Sequence, residues 1–288
     1  MAKLGKVRVG GNNPVKIMGI INTSKESFYK NSIKTTKQDI SNTIKQMELD
    51  GADIVDIGGM STAPYLSTMV SEKIELARIS NAIKIVQNVS NIPISIDTCR
   101  ANIAKSALEL GADIINDISG LKYDKKMIEI VSSFNPSLIL CAYDNKVVLG
   151  NQIKATTSLL KQSTEILKKI EFPMNKVVLD PAIGFFRVSG KGLFFTKIKT
   201  DWFKRDLEVI KNLRSIKQQY PILISVSNKS FIGKIIKEED PSRRLFGSIA
   251  AEVISVLNGA DVIRTHNVSQ TKDAILVASK ISSRNKGL

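Results

Sequence analysis

Residues 111–119 read Gly-Ala-Asp-Ile-Ile-Asn-Asp-Ile-Ser, and the punctuation of this stretch decides the fold. Gly111 suits the left-handed stop that ends a helix. The residues after it form a short apolar run of strand type. The same Gly-Ala-Asp stands before Val/Ile-rich runs at 51–53 and 259–261. Helical apolar spacing precedes these tripeptides, with Ile40, Ile44 and Met47 on one face, and later Leu245, Ile249, Val253 and Val256. A helix stop followed by a strand, used three times, marks repeated αβ units.

Outward from this stretch the chain shows eight apolar runs, at 15–22, 53–59, 93–98, 113–119, 137–143, 177–182, 221–227 and 261–267. They are near-continuous, as expected of parallel strands covered on both faces. Amphipathic spacing between them predicts further helices. Ile79, Ile83 and Val86 share a face, and Leu207, Ile210, Leu213 and Ile216 predict a single helix. Ser71 is placed to cap the helix that begins at Glu72, and Pro241 to open the seventh helix. Eight strands with intervening helices predict a (β/α)8 TIM barrel, an α/β fold. An open doubly wound sheet would carry a Gly-rich fingerprint after its first strand, and none is present. Residues 1–14 read as a short N-terminal β-hairpin closing the bottom of the barrel. No linker divides residues 1–288, so one domain is expected.

Composition narrows the function classes. The net charge is +15, from 42 Lys and Arg against 27 Asp and Glu. The lysines are spread along the chain, without a basic block interleaved with aromatics, so nucleic acid is not an expected partner. No apolar run reaches the roughly 20 residues of a membrane helix, and no secretory leader pattern opens the sequence. Cys99 and Cys141 are far apart and form no CxxC pair, which argues against a zinc site or a disulfide framework. Cytoplasm is the expected compartment.

In a barrel, function gathers where the strands end at their carboxyl side. Here those ends are polar: Asn22, Asp56, Asp97, Asn116 with Asp117, Asp180, the Ser227–Ser230 run, and Arg264 with His266. A single buried Asp is as well explained by backbone or water partners. Seven of eight strands ending this way are not. Asp97, Asn116 and Asp180 suit a neutral heterocycle rich in N–H donors, such as an aminopyrimidinone, with Lys229 donating to a ring atom. Asn22, Thr62, Arg264 and His266 are mostly donors and suit a phosphate or pyrophosphate. His266 is the protein's single histidine, two residues from Arg264 and on the same strand face.

With these residues in view, the sequence resembles the dihydropteroate synthases of the pterin-binding TIM-barrel superfamily. The matching stretches are IMGIINTSKESF (17–28), GADIVDIGGMSTAP (51–64), PISIDT (93–98), GADIINDISG (111–120), VVLDPAIGF (177–185), ISVSNKSFIG (224–233), GSIAAEVISVLNGAD (247–261) and IRTHNV (263–268). The resemblance implies condensation of 6-hydroxymethyl-7,8-dihydropterin pyrophosphate with p-aminobenzoate or a modified arylamine, with Mg²⁺, in folate or pterin biosynthesis. It implies that Asp97, Asn116, Asp180 and Lys229 bind the pterin. Asn22, Thr62, Arg264 and His266 would then bind pyrophosphate, with Asn22 beside the metal. Lys229, Arg264 and His266 would be catalytic, and Phe185, Ser230 and Pro64 would line the arylamine site. A homodimer is implied in the same way.

Departures from the family pattern fall in the loops. Met60 and Ala63 stand where the second loop usually carries Glu and Arg. The first loop holds Lys25, which is placed to supply some of the missing positive charge. Ala182 and Asn228 replace a Gly and an Arg, and Leu140-Cys141-Ala142-Tyr143 lacks the usual His. The alternative reading is a pterin-binding methyltransferase serving a corrinoid protein. It would share Asp97, Asn116 and Asp180 but has no need of Lys229-Ser230-Phe231 or of Arg264 with His266.

Overall fold

A computed structural model describes residues 1–24, 33–66 and 69–282. Strands β1 (Ala2–Leu4) and β2 (Val7–Val9) form an antiparallel hairpin, the one expected from residues 1–14. Eight parallel strands then make the barrel. They are β3 (Lys16–Asn22), β4 (Ile54–Gly58), β5 (Ile94–Asp97), β6 (Ile114–Asp117), β7 (Ser137–Cys141), β8 (Val177–Asp180), β11 (Leu223–Ile224) and β12 (Val262–Thr265). Between β8 and β11, strands β9 (Phe186–Arg187) and β10 (Thr196–Lys197) pair as a separate two-stranded ladder. The barrel order runs β11-β12-β3-β4-β5-β6-β7-β8, and a bridge between Leu179 and Ile222 closes the ring.

The helices pack outside. They are α1 (Lys37–Leu49), α2 (Glu72–Val89), α3 (Ala101–Glu109), α4 (Met127–Phe134), α5 (Gln152–Lys169), α6 (Trp202–Lys211), α7 (Leu213–Lys217), α8 (Ser230–Ile236), α9 (Leu245–Leu257) and α10 (Val268–Ile281). The Gly-Ala-Asp punctuation holds. Gly51, Gly111 and Gly259 all have positive φ, between +92° and +112°, where a side chain would be strained. Ser71 caps α2, accepting from the Ile74 N–H at 3.4 Å.

Three helix expectations need correction. The predicted helix over Leu207–Ile216 is broken at Asn212, which ends α6 and precedes α7. Pro241 does not open the seventh helix. It begins a single 3₁₀ turn, Pro241–Arg243, capped by Asp240, because proline's missing N–H suits any first turn, however short. In α9 the buried face is Ser248, Ala251, Glu252, Ser255 and Val256, while Leu245, Ile249 and Val253 are only half-buried. Polar residues that find partners took the core side of that helix.

The barrel interior follows from the period of two along each strand. The lower inward layer is apolar: Met18, Ile54, Ile114, Ile139, Val178, Leu223 and Val262 pack together. Ala2, Leu4 and Val9 from the hairpin cover this layer from below, and the Gly5 N–H donates to Ser137 Oγ at 2.9 Å. One step higher, most of the inward residues are polar, with Asp56, Asn116, Asp180, Ser225 and Arg264 there. That switch puts a sealed floor under an open pocket.

Leu4 has 0% exposure at the centre of the seal. Leu4→Ala should therefore lower unfolding stability by roughly 2–5 kcal/mol through lost transfer and cavity formation. Urea unfolding checks this, and a loss under 1 kcal/mol would show that the hairpin is not part of the core.

Candidate active site

The upper inward positions of the strands line one pocket. They include Ile20, Asn22, Asp97, Asn116, Cys141, Asp180, Ser225, Ser227, Arg264 and His266. At its base Arg264 lies between two carboxylates. Its Nε donates to Asp56 Oδ2 at 2.6 Å and its Nη2 to Asp97 Oδ2 at 3.0 Å. Asp56, with 0% exposure, also accepts from Ser95 Oγ at 2.6 Å and Asn116 Nδ2 at 3.1 Å. Burial pushes the Asp97 carboxyl above its ordinary range, and Arg264 pulls it back. The floor is thus a hydrogen-bonded charge cluster, with Asp97 its member nearest to solvent.

The opposite wall is built by the loop after β8. Asp180 Oδ1 accepts from the Ala182 N–H at 2.7 Å, and burial raises this carboxyl too. Gly184 stands at φ +84°, and a Cβ there would come within 3.0 Å of Lys229 Cδ. Glycine at this point lets the lysine lie against the loop. Lys229 Nζ sits 4.2 Å from the centre of the Phe185 ring. Burial is the main cause that lowers this ammonium to about 8, with Arg264 adding to it and Asp180 opposing.

Charged groups behind the wall hold it in place. Arg205 on α6 donates to the carbonyls of Ala182 at 3.1 Å and Pro181 at 2.6 Å, and pairs with Asp206 at 3.0 Å. Asp206 Oδ2 accepts from the Gly184 N–H at 3.1 Å. A similar brace serves the loop after β5. Glu75 of α2 accepts from Thr98 Oγ1 at 2.8 Å and Arg100 Nη1 at 2.6 Å. Around β11, Arg244 Nη1 donates to the Asn228 carbonyl at 3.0 Å, and Ser248 Oγ accepts from the Asn228 N–H at 2.9 Å. These contacts fix the backbone that precedes Lys229.

His266 Nδ1 lies 3.0 Å from Ser227 Oγ. Desolvation, followed by the positive charges of Arg264 and Lys229, lowers the imidazole to about 3. It is neutral at neutral pH and acts there as a hydrogen-bonding group.

Sequence comparison fits this geometry. The profile of the pterin binding enzymes matches residues 18–266. The chain belongs to the pterin-binding enzyme family. A dihydropteroate synthase of Clostridium beijerinckii is 32% identical over 285 residues, spanning 98% of this chain and 100% of the relative. One from Bacillus subtilis is 31% identical over 254 residues, spanning 88% and 84%. Among solved structures, a Clostridium difficile dihydropteroate synthase crystallised with pteroic acid superposes with a TM-score of 0.81 at 32% identity, covering 98% of this chain and 99% of that one. A Burkholderia cenocepacia dihydropteroate synthase complexed with 7,8-dihydropteroate gives 0.83 at 26% identity, covering 98% and 96%.

As a pterin-binding enzyme, the chain brings together every residue expected at its site. Asn22, Thr62, Pro64, Asp97, Asn116, Asp180, Phe185, Lys229, Ser230, Arg264 and His266 all line the pocket. Arg264 lines the pocket from its base, where its nearest partners are Asp56 and Asp97. Met60 and Ala63 are buried in the pocket wall, so the second loop presents apolar surface there. Lys25 lies outside the described residues. Sequence reading missed Ser95 and Ser225, and named Ser227 and Asp56 at strand ends without giving either a role. Counting back in twos from Asp97 and forward from Leu223 finds the three serines.

Two outcomes follow. Asp56→Ala should cost roughly 3–5 kcal/mol of stability, because it leaves Arg264 buried with one carboxylate fewer; chemical denaturation measures it, and a cost below 1 kcal/mol would contradict the cluster. An NMR titration of the single imidazole should show it neutral from pH 7 down to about 4. The unfolded chain takes up this proton near its ordinary value and the folded one does not, so His266 makes stability fall as pH drops through that window. A midpoint near 6.5 would place the ring in water instead.

Proposed function

We propose that this protein is a transferase that joins 6-hydroxymethyl-7,8-dihydropterin pyrophosphate to p-aminobenzoate, or to a related arylamine, releasing pyrophosphate. The observation that carries the reading is one pocket faced by Asp97, Asn116, Asp180 and Lys229, at four separate strand ends. Two carboxylates and an amide match the paired N–H donors of an aminopyrimidinone, and the lysine supplies the donor that its ring oxygen or nitrogen requires. The synthase names of the relatives and the pteroate-type ligands of the solved neighbours agree with it.

In the proposed reaction the bond between the hydroxymethyl carbon and the pyrophosphate oxygen breaks, and a carbon–nitrogen bond to the arylamine forms. The amine gives up one proton to solvent. Asp97 and Asp180 hold the electron-rich ring that stabilises the carbon left behind. Thr62, Asn22, Arg264 and the neutral His266 surround the departing pyrophosphate and meet its growing charge. No strong base is required, because the amine is neutral and the leaving group is good. Positioning carries most of the rate. Phe185, Pro64 and Ser230 line the side where the arylamine approaches, and Lys229 stays mostly protonated at neutral pH.

Among the described residues, no group of three or more His, Cys, Asp or Glu could hold a metal by itself. The residues fit a Mg²⁺ that comes with its pyrophosphate, since this ion keeps several waters and takes phosphate oxygens. Asn22, on the pocket wall, would hold it. Its chemistry would be to neutralise charge on the leaving group. We further propose a second copy of the chain as partner. Phe246 and Ile254 on α9 and Val277 on α10 are exposed by 87%, 50% and 57%, an apolar surface that pairing would cover.

Incubation with dihydropterin pyrophosphate, Mg²⁺ and p-aminobenzoate should release pyrophosphate only when the amine is present. Asp97→Asn should weaken pterin binding by about 1–3 kcal/mol, as one buried acceptor becomes a mismatched amide. Calorimetry measures that loss. Tight pterin binding without turnover would overturn the synthase step and leave the pocket assignment standing.

A further inference from the structure

On strand β12 the side chains of Arg264 and His266 point into the pocket, so Thr265 between them points out into the helix layer. Thr265 has 0% exposure and meets two helices there. The Asn267 N–H donates to Thr265 Oγ1 at 3.1 Å. Thr265 Oγ1 and Thr271 Oγ1, the latter on α10, are 3.1 Å apart, and Thr271 Oγ1 lies 2.7 Å from Glu252 Oε2 on α9. Thr271 has one hydroxyl proton for two neighbours. The carboxyl has the stronger claim on it, so Thr265 supplies the proton between the two hydroxyls. Donation then runs toward Glu252, starting from the Asn267 N–H on Thr265, and both threonine hydroxyls act on the carboxyl.

Glu252 is an expensive terminus for such a chain. It has 0% exposure, its Oε1 has no hydrogen-bond partner, and no charged group acts on it among the described residues. Burial pushes the carboxyl up to about 7, against the pull of its threonine partners. A methyl-bearing side chain would pack here without that cost. What the carboxyl adds is an acceptor that orders two hydroxyls and, through them, the outward side of the strand end.

We propose that Glu252 is a positioning residue: as terminal acceptor of the Asn267–Thr265–Thr271 chain, it fixes the backbone from which Arg264 and His266 are aimed into the pocket. The role in catalysis rests on the synthase reading above; the role in aiming His266 does not. The pocket side of β12 carries the reacting groups, and the helix side carries the device that sets their angle.

The test uses Glu252→Ala, Glu252→Gln and Thr271→Val in the full chain, with two readouts. His266 is the only histidine, so its imidazole gives a single set of NMR signals that reports its setting without any assay. Steady-state kinetics give kcat and the KM for each substrate. Glu252→Ala and Thr271→Val should shift the imidazole signals and lower kcat by roughly tenfold or more, with the arylamine KM within about twofold. Glu252→Gln keeps an acceptor for Thr271 and should restore both readouts. Should Glu252→Ala fail to fold, Thr271→Val cuts the same chain with an isosteric side chain and decides alone. Folded variants with wild-type imidazole signals would overturn the proposal, even with a lower melting temperature, and so would shifted signals with unchanged kcat. A wild-type protein without turnover would end the synthase reading, and the imidazole signals would still decide the aiming role.

Discussion

Arg264 between Asp56 and Asp97 is the constraint on which the pocket depends. A guanidinium inside a barrel needs its counter-charges within hydrogen-bond reach, and each carboxylate needs the guanidinium for the same reason. The three side chains come from β12, β4 and β5, so the cluster locks strands that are distant in sequence into one register. Asn116 on β6 and Ser95 on β5 fill the remaining positions on Asp56. Once this base is satisfied, Asp97 presents its free face upward. A second carboxylate at Asp180, across the pocket, completes a pair of acceptors at a separation that the barrel sets.

The same economy of buried charge recurs behind the loops. Glu75 with Arg100, and Asp206 with Arg205, are ion pairs sunk in the helix layer. Neither pair reaches the pocket opening. Their free hydrogen-bonding capacity goes to loop groups: Thr98 on one side, and the carbonyls of Pro181 and Ala182 on the other. Pairs of this kind add little net stability compared with well-packed apolar side chains, but they tolerate only one loop geometry. That trade suits a site whose chemistry rests on position.

Sequence made the barrel legible because its signals are local. Gly111 needs positive φ, Ile114 and Ile115 need cover on both faces, and neither property depends on distant residues. Strand-end carboxylates were legible for a similar reason, since Asp97 and Asp180 are costly in apolar runs unless used. Partners were not legible. Nothing near Arg264 in sequence says that its guanidinium turns to Asp56, 208 residues away. Arg205, Asp206 and Glu252 look like solvent-facing positions on amphipathic helices, and they are buried because hydrogen-bonding groups from other elements meet them there. The Leu207–Ile216 helix failed for the opposite reason: its apolar spacing continues smoothly across Asn212, where the backbone does not.

The period of two along the strands divides the labour in this fold. Inward residues above the sealed floor face the pocket: Asp97, Asn116, Asp180, Arg264 and His266. Outward neighbours meet helices: Thr98 with Glu75, and Thr265 with the Thr271–Glu252 pair. A substitution at an inward position changes what the pocket can bind. At an outward one it changes where the inward neighbours point. The loops beyond the strand ends are free of this rule, and Met60 and Ala63 lie there, in the pocket wall. Change in the loop residues is therefore tolerated by the architecture, whereas change in the pocket carboxylates would have to be matched across the barrel.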